Sequence, residues 1–359
     1  LRRLNKYLTL NLIKILLLCQ VAGMVIFLTI EFFDHVDIFT ETFGKLALGI
    51  AYMFLRVPYY FNLILPLAFL ISILILIIMM IRGNEIIAIR TAGISTLSLM
   101  KPFIAVAMCL VVFSFVLSEW VIPVSLSASE YVYRVRIKKE QPYIFFKNDK
   151  IWFKRGNQVC NIEVFDTKND VIKNLTVLEL SDAYAVLRRV EAKEGRWQDN
   201  GWTFHTVTER RFGPEGILSR TFYPTMRGLI TEPPSVFKIA EKNPEEMSYN
   251  ELQRYIQKLK KNGHDVRRYM VDLYNKVAFP FINLIMVLAG FSVGLRYAKT
   301  KHISKGIFSG ICVGVLYFIA HNVSLSFGYA EIFPPLFAAW LSNLLFFSAG
   351  IIGIVTLRT

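Results

Sequence analysis

Six stretches of this chain, from roughly residues 12 to 33, 58 to 81, 98 to 123, 270 to 297, 303 to 327 and 333 to 357, are apolar over about the ~20 residues that a helix needs to cross a bilayer. Hydrocarbon offers backbone amides no water, so runs of this length must bond their own amides as helices. Three of them precede a long polar insert and three follow it. Of 359 residues 54% are hydrophobic, which places the chain outside the soluble globular classes. The first run follows basic residues but lacks a small-residue cleavage site and is too long for a signal segment, so a retained span is expected.

The formal net charge of +14 bears first on topology and anionic lipid. No basic stripe with interleaved stacking aromatics and no zinc spacing points to nucleic acid, and no such partner is expected. Arg2, Arg3, Lys6 and Lys14 precede the first span. Arg82, Arg90 and Lys101 bracket the loop between the second and third, and Arg296, Lys299, Lys301 and Lys305 fill the loop after the fourth. The positive-inside rule puts these segments, with Arg358, in the cytoplasm. Glu31, Asp34, Asp37, Glu41 and Glu331 fall in the opposite loops. Both termini are then cytoplasmic and the insert lies outside.

The insert, about 128 to 245, reads as short strands at period two, in Lys150-Ile151-Trp152-Phe153, Cys160-Asn161-Ile162-Glu163-Val164 and Asn174-Leu175-Thr176-Val177-Leu178. Asp199-Asn200-Gly201 is a hairpin signal flanked by Trp197 and Trp202, and Phe212-Gly213-Pro214-Glu215-Gly216 is a second turn. The fold class expected is an α-helical membrane protein of six transmembrane helices (3+3), with an antiparallel β domain, a sandwich or jelly-roll-like roll, between the third and fourth. Its parts are 1–127 with a cytoplasmic helix at 83–93, the β domain 128–245, and 246–359. In the last part Ser248-Tyr249-Asn250-Glu251 is a capping box, and Leu252, Tyr255, Ile256 and Leu259 predict an amphipathic helix against the outer membrane surface, ending near Gly263. Arg134, Arg136, Lys138 and Lys139 on one flank of the insert, and Lys258, Lys260, Lys261, Arg267 and Arg268 on the other, suggest a shared anionic ligand. A large translocated domain that escapes the charge rule explains each cluster equally well.

Between the second and third spans lies Arg82-Gly83-Asn84-Glu85-Ile86-Ile87-Ala88-Ile89-Arg90-Thr91-Ala92-Gly93-Ile94-Ser95. Asn84 as cap and Gly93 as left-handed stop imply two turns of helix, too short to span. Its isoleucines Ile86, Ile87 and Ile89, beside Glu85 and Arg90, suit docking to a cytoplasmic protein. Against this, Glu85 is also a carboxylate favoured at any helix N-terminus. Lys276, after Asn275 and four residues before Pro280, either snorkels or meets a phosphate. His321, Asn322, Ser324 and Ser326 in the fifth span read as functional groups or as interhelical hydrogen bonding. Glu119 beside Trp120 is expected at the interface, and Cys19, Cys109, Cys160 and Cys312 as small buried side chains without disulfide or metal spacing.

No phosphate loop, HExxH, GxSxG or paired-carboxylate constellation appears, so no catalytic residue, metal site or bound cofactor is expected. Work against a gradient would draw on another chain's ATP. An ion-coupled carrier would show broken helices, repeats and midplane charges, whereas only Pro66 and Pro280 interrupt spans here. A receptor or scaffold with an outer β sensor remains the alternative.

The 3+3 layout with Asn84-Glu85-Ile86-Ile87-Ala88-Ile89-Arg90-Thr91-Ala92-Gly93-Ile94-Ser95, supported by Asn275-Lys276 with Pro280 and by Glu119-Trp120-Val121-Ile122-Pro123, resembles the LptF/LptG permeases of lipopolysaccharide export in Gram-negative bacteria. Phe33-Asp34 and Arg267-Arg268-Tyr269 resemble the LptG type more than the LptF type. The resemblance covers essentially the whole chain. It implies a permease of an ABC transporter in the bacterial inner membrane, with a periplasmic β domain, that extracts lipopolysaccharide and passes it to a periplasmic bridge. It further implies a sister LptF permease, an LptB-like ATPase dimer carrying ATP and Mg, and an LptC-like single-span partner. Residues 83–93 would be the coupling helix, with Glu85, Ile86, Ile87, Ile89 and Arg90 on the ATPase. Arg134, Arg136, Lys276 and Arg268 would hold lipid phosphates and core. Phe27, Leu63, Phe69 and Tyr317 would line an apolar cavity. Glu31 and Asp37 stand where LptG-type members can have lysines, a departure from the pattern.

Overall fold

The computed structural model describes residues 2–138, 144–147, 150–166, 170–181, 185–198, 201–213, 216–234, 237, 243–261, 265–298 and 303–356. Six helical segments are long and apolar enough to cross a membrane: Arg2–Asp34, Phe43–Arg82, Met100–Arg134, Arg267–Arg296, Lys305–Tyr329 and Pro335–Thr356. They match the six expected spans in order, the first three extending well beyond the expected bounds at one end or both and the last three lying within a few residues of them. The second helix begins at Phe43 rather than near 58 and holds Pro58 and Pro66 within its length. Residues 43 to 57 mix Gly44, Lys45, Gly49 and Arg56 with apolar side chains, which hid that extension from a reading based on apolar runs.

The second and fourth spans form the interior of the bundle. Their most apolar windows are 67% and 61% buried, against 11% for the first span, so the first span is the peripheral one. Glycine makes the close contacts possible. A Cβ added at Gly290 would sit 2.8 Å from Ile73 Cγ2, and one at Gly294 would sit 2.9 Å from Ile77 Cδ1. On the fifth span, a Cβ at Gly314 would sit 2.8 Å from Leu67 Cδ1. Lipid tails are as apolar as leucine, so helices in a bilayer associate through such fit, with small residues four apart admitting the partner's side chains. Gly290→Leu is therefore expected to lower the stability of the bundle by ~1–3 kcal/mol through overpacking. Gly44, where an added Cβ would meet no side chain or distant backbone of the described residues within 4 Å, is the control position for the same substitution. Thermal unfolding in detergent checks both, and equal transitions for the two variants would count against the glycine seam.

The third span carries a π-helical segment, Leu117–Val121. Within it Glu119 accepts the backbone N–H of Tyr249 at 2.6 Å and the Asn250 side-chain amide at 2.7 Å. This carboxylate therefore caps the helix Tyr249–Lys261 across 130 residues of sequence. The capping box is present. Ser248 N–H donates to Glu251 Oε2 at 3.0 Å, and Glu251 N–H donates to Ser248 Oγ at 3.2 Å. Leu252, Tyr255, Ile256 and Leu259 are all buried within the protein, so the apolar face of this helix is covered rather than laid on lipid. Gly263 lies outside the described residues. Two of the cysteines also depart from expectation, because Cys109 and Cys312 are exposed on their spans.

Residues Arg134–Asn243 with Arg254–Asp265 form one compact unit, and the remaining segments form the other. The first of these holds an antiparallel sheet of seven strands: β1 Ile144–Lys147, β2 Lys150–Arg155, β3 Gln158–Asp166, β4 Val171–Leu180, β5 Val186–Gln198, β6 Gly201–Gly213 and β7 Gly216–Arg227. Every strand pairs with its neighbour in sequence, so this antiparallel domain is a meander without crossovers among the described strands. Trp197 and Trp202 pair across β5 and β6, with Gln198 opposite Gly201, as the hairpin signal required. Asp199, Asn200, Pro214 and Glu215 lie outside the described residues.

One face of the sheet closes over a core that includes Phe153, Phe165, Trp202, Phe204 and Phe237. The chain after β7 returns to that core through Leu229 and Ile230. Burial pushes the Cys160 thiol up to about 12, which leaves it a small apolar side chain. Alternation breaks once in β4. Asn174 sits at φ 54, a left-handed conformation, and its amide donates to Glu163 Oε2 at 2.8 Å, which brings Leu175 back to the buried face.

Candidate functional site

The short helix between the second and third spans runs Glu85–Thr91. Gly93 at φ 75 ends it, and Ile94 N–H bonds the Ile89 carbonyl at 3.2 Å, the six-to-one bond of a Schellman stop. Asn84 precedes it at φ 57 and its carbonyl accepts from Ala88 N–H. The expected apolar docking surface needs correction. Ile86 and Ile89 are 6% and 9% exposed and belong to the bundle core, whereas Ile87 is 60% exposed. A two-turn helix packed on its own bundle has one face left, and here that face offers Ile87 and Ala88. The Arg90 side chain lies outside the described residues. Glu85 is half-buried, and the Tyr7 hydroxyl of the first span donates to its Oε1 at 3.0 Å. Tyr7 was not anticipated, and nothing local in the sequence marks a partner 78 positions away.

Lys276 lies on the face of the fourth span that lines a cavity of about 340 Å³. Asp272 and Asn275 of the same helix, Glu245, and His321 and Asn322 of the fifth span share its wall with Tyr59 and Leu63. Asp272 accepts the Tyr329 hydroxyl at 2.5 Å. Arg268 is exposed, with its guanidinium 5.8 Å from the centre of the Tyr329 ring. Arg134 is half-buried and Arg136 exposed, both on the π-helical turn Val132–Ile137. Lys139 lies outside the described residues.

His321 works as an interhelical tie. Its Nδ1 is 2.8 Å from Ser342 Oγ and its Nε2 is 3.0 Å from Asn275 Oδ1, which joins the fourth, fifth and sixth spans. Asn343 adds a bond to the Ala278 carbonyl at 2.9 Å and accepts the Tyr317 hydroxyl. Tyr317 and Phe69 are both residues of the bundle core with no exposed surface. Of the four side chains expected to line one apolar cavity, only Leu63 lines the cavity described above, and Phe27 is 37% exposed on the first span. The chain does not bring the four together. Aromatic residues in a span mark core and cavity alike in sequence, and helix packing decides between them.

Glu31 was placed among the acidic loop residues, but it is buried in the first helix. Arg56 Nη1 donates to its Oε1 at 2.7 Å, Tyr52 donates to the same oxygen at 2.8 Å, and Tyr60 donates to Oε2. Arg56 Nη2 reaches Glu130 Oε1 at 3.3 Å. One guanidinium therefore ties the first, second and third spans together. This carboxylate faces an internal cation, so position 31 serves a tie between spans. Arg56 was missed, although a lone arginine two residues before Pro58 in an apolar stretch was a readable signal.

The sequence profile of the family described as "Lipopolysaccharide export system permease LptF/LptG" matches residues 6–356. The lipopolysaccharide export system permease protein LptG of Haemophilus influenzae is 22% identical over 297 residues, covering 81% of this chain and 81% of its own length. Its namesake from Escherichia coli strain K12 is 21% identical over 310 residues, covering 84% of each. A match over nearly the whole chain, on six spans that bracket an antiparallel sheet, places this membrane protein in the LptF/LptG family of lipopolysaccharide export permeases.

Proposed function

We propose that this chain is the LptG-type permease of a lipopolysaccharide exporter in the inner membrane and that a separate ATPase drives it through the helix Glu85–Thr91. Supporting the drive is the form of that helix: two turns between two spans, anchored inward by Ile86 and Ile89, presenting Ile87 and Ala88 outward, with Glu85 half-buried at its start. A chain without a phosphate loop that does work needs such a contact. ATP and Mg belong on an LptB-like dimer, both termini are cytoplasmic, and the β unit is periplasmic. An LptC-like single-span protein receives the lipid.

The cavity near Lys276, at about 340 Å³, is at the small end of ligand pockets and too small for a lipid with several acyl chains. Acyl chains are therefore held where apolar side chains are exposed on the first and fifth spans, as at Val21, Val25, Phe27, Leu316, Ile319 and Val323, and a sister LptF permease closes that space. Arg134 and Arg136 on their turn, and Lys276 with Arg268 at the start of the fourth span, meet lipid phosphates and core.

Glu85→Ala is expected to reduce lipopolysaccharide release from proteoliposomes about tenfold or more with the permease still folded, because a charge-assisted contact worth ~1.5–3 kcal/mol is lost. An ATPase that fails to co-purify in stoichiometric amount with the unmodified chain would sink the proposal. An unchanged release rate in the variant would remove Glu85 from it.

A further inference from the structure

The wall around Lys276 carries more than a phosphate-holding group needs. One ammonium, Lys276, shares it with two carboxylates, Asp272 and Glu245, and with the amides of Asn275 and Asn322. Ionisable side chains placed within membrane spans are expensive to hold and commonly mark a ligand. Tyr329 fixes the orientation of Asp272 through its hydroxyl, and His321 spends both ring nitrogens on Ser342 and Asn275, so it serves as wall. Leu63, Ile122, Phe279, Phe318 and Leu325 supply the apolar remainder.

Three ligand classes meet this wall differently. A phosphate without a positive group approaches Lys276 but faces two carboxylates in the same confined space. A metal ion or bare amine satisfies the carboxylates but is repelled by Lys276. A zwitterion that carries both signs a few bonds apart satisfies both, through charge-assisted hydrogen bonds at each end. A cavity of about 340 Å³ admits a headgroup and leaves the lipid body outside.

We propose that this cavity binds a phosphoethanolamine group, with the phosphate toward Lys276 and the ammonium toward Asp272 and Glu245. The inference rests on the reading of Lys276 as a phosphate-holding residue and adds the carboxylate half. Such a group comes either from phosphatidylethanolamine of the bilayer or from a phosphoethanolamine-bearing glycolipid that the permease carries.

Native mass spectrometry of the full chain from nanodiscs tests it, with phosphatidylethanolamine, phosphatidylcholine and phosphatidylglycerol in equal amounts and, in a second arm, glycolipid with or without phosphoethanolamine. Expected is retention of the phosphoethanolamine lipid about tenfold above the others in at least one arm, and that arm names the source. Water-soluble glycerophosphoethanolamine should displace it from the unmodified protein, a result that needs no variant to fold. The isosteric pair Asp272→Asn with Glu245→Gln should abolish the preference, and Lys276→Gln should abolish it too. No preference in either arm overturns the proposal. If Lys276→Gln alone removes lipid and the carboxylate pair behaves as the unmodified protein does, the zwitterion is overturned while Lys276 keeps its phosphate role.

Discussion

Arg56→Ala is expected to destabilise the membrane-spanning unit by about 3 kcal/mol, the lower end of the ~3–5 kcal/mol seen when one partner of a buried ion pair is removed. The lower end applies because the Arg56 side chain keeps 22% of its surface exposed. The loss has two parts. Glu31 keeps its tyrosine donors but loses the opposite charge, and Glu130 is left near a second carboxylate without the guanidinium between them. Arg56→Lys should fall between, since an ammonium lacks the planar fork that reaches both carboxylates. The charge-free pair Arg56→Met with Glu31→Gln should recover part of the loss, as neutral replacements of buried ion pairs often do. Thermal transitions in detergent for the single and double variants give the coupling energy. A coupling near zero would mean that the guanidinium adds nothing to what the tyrosine hydrogen bonds and apolar contacts already hold.

Trp202→Ala is expected to cost the β unit ~3–5 kcal/mol, the range for truncating a fully buried large aromatic. Trp202 is among the largest fully buried side chains and touches the rings of Phe165, Trp197, Phe204 and Phe237. Its Nε1–H also donates to the Glu232 carbonyl at 2.7 Å, which ties the chain beyond β7 to the sheet. Trp202→Phe keeps much of the packing and loses that bond, for a cost of ~1 kcal/mol. Hydrogen exchange of the full chain reads both. Amides of β4 to β6 should lose protection in the alanine variant while those of the second and fourth spans keep theirs. Protection in the sheet equal to that of the unmodified chain would show that the aromatic cluster does not hold the sheet.

The six spans were legible because apolar length is a one-dimensional signal that burial in lipid enforces directly. The capping box at Ser248 and Glu251 and the stop at Gly93 were legible for a related reason, as each is completed within a few residues. What escaped depends on distant partners. Arg56 and Glu31 are 25 positions apart, and their pairing needs two antiparallel helices to be set side by side first. Gly290 and Gly294 carry the four-residue spacing of a helix seam, but the side chains they admit lie more than two hundred positions away, on the second span. Ile86 and Ile89 could not be told from Ile87 as docking residues, because hydropathy does not say which face of a short helix its own protein covers. Asp272 and Glu245 went unmentioned for lack of a motif, although Asp272 is four residues before Lys276 on one helix, and only the cavity brings Glu245 to that pair.

The second helix has 40 residues, which at 1.5 Å each is about 60 Å, roughly twice the ~30 Å of a bilayer core. Only Gly83 and Asn84 separate its end from the helix that begins at Glu85. A rod pivoting at mid-bilayer works as a seesaw: a rocking of about 10° displaces each tip by about 5 Å, in opposite directions. Were the helix to rock as one body despite Pro58 and Pro66, a push at Arg82 would reach Phe43 with reversed sense, and the Arg56–Glu31 bond would draw the first span along.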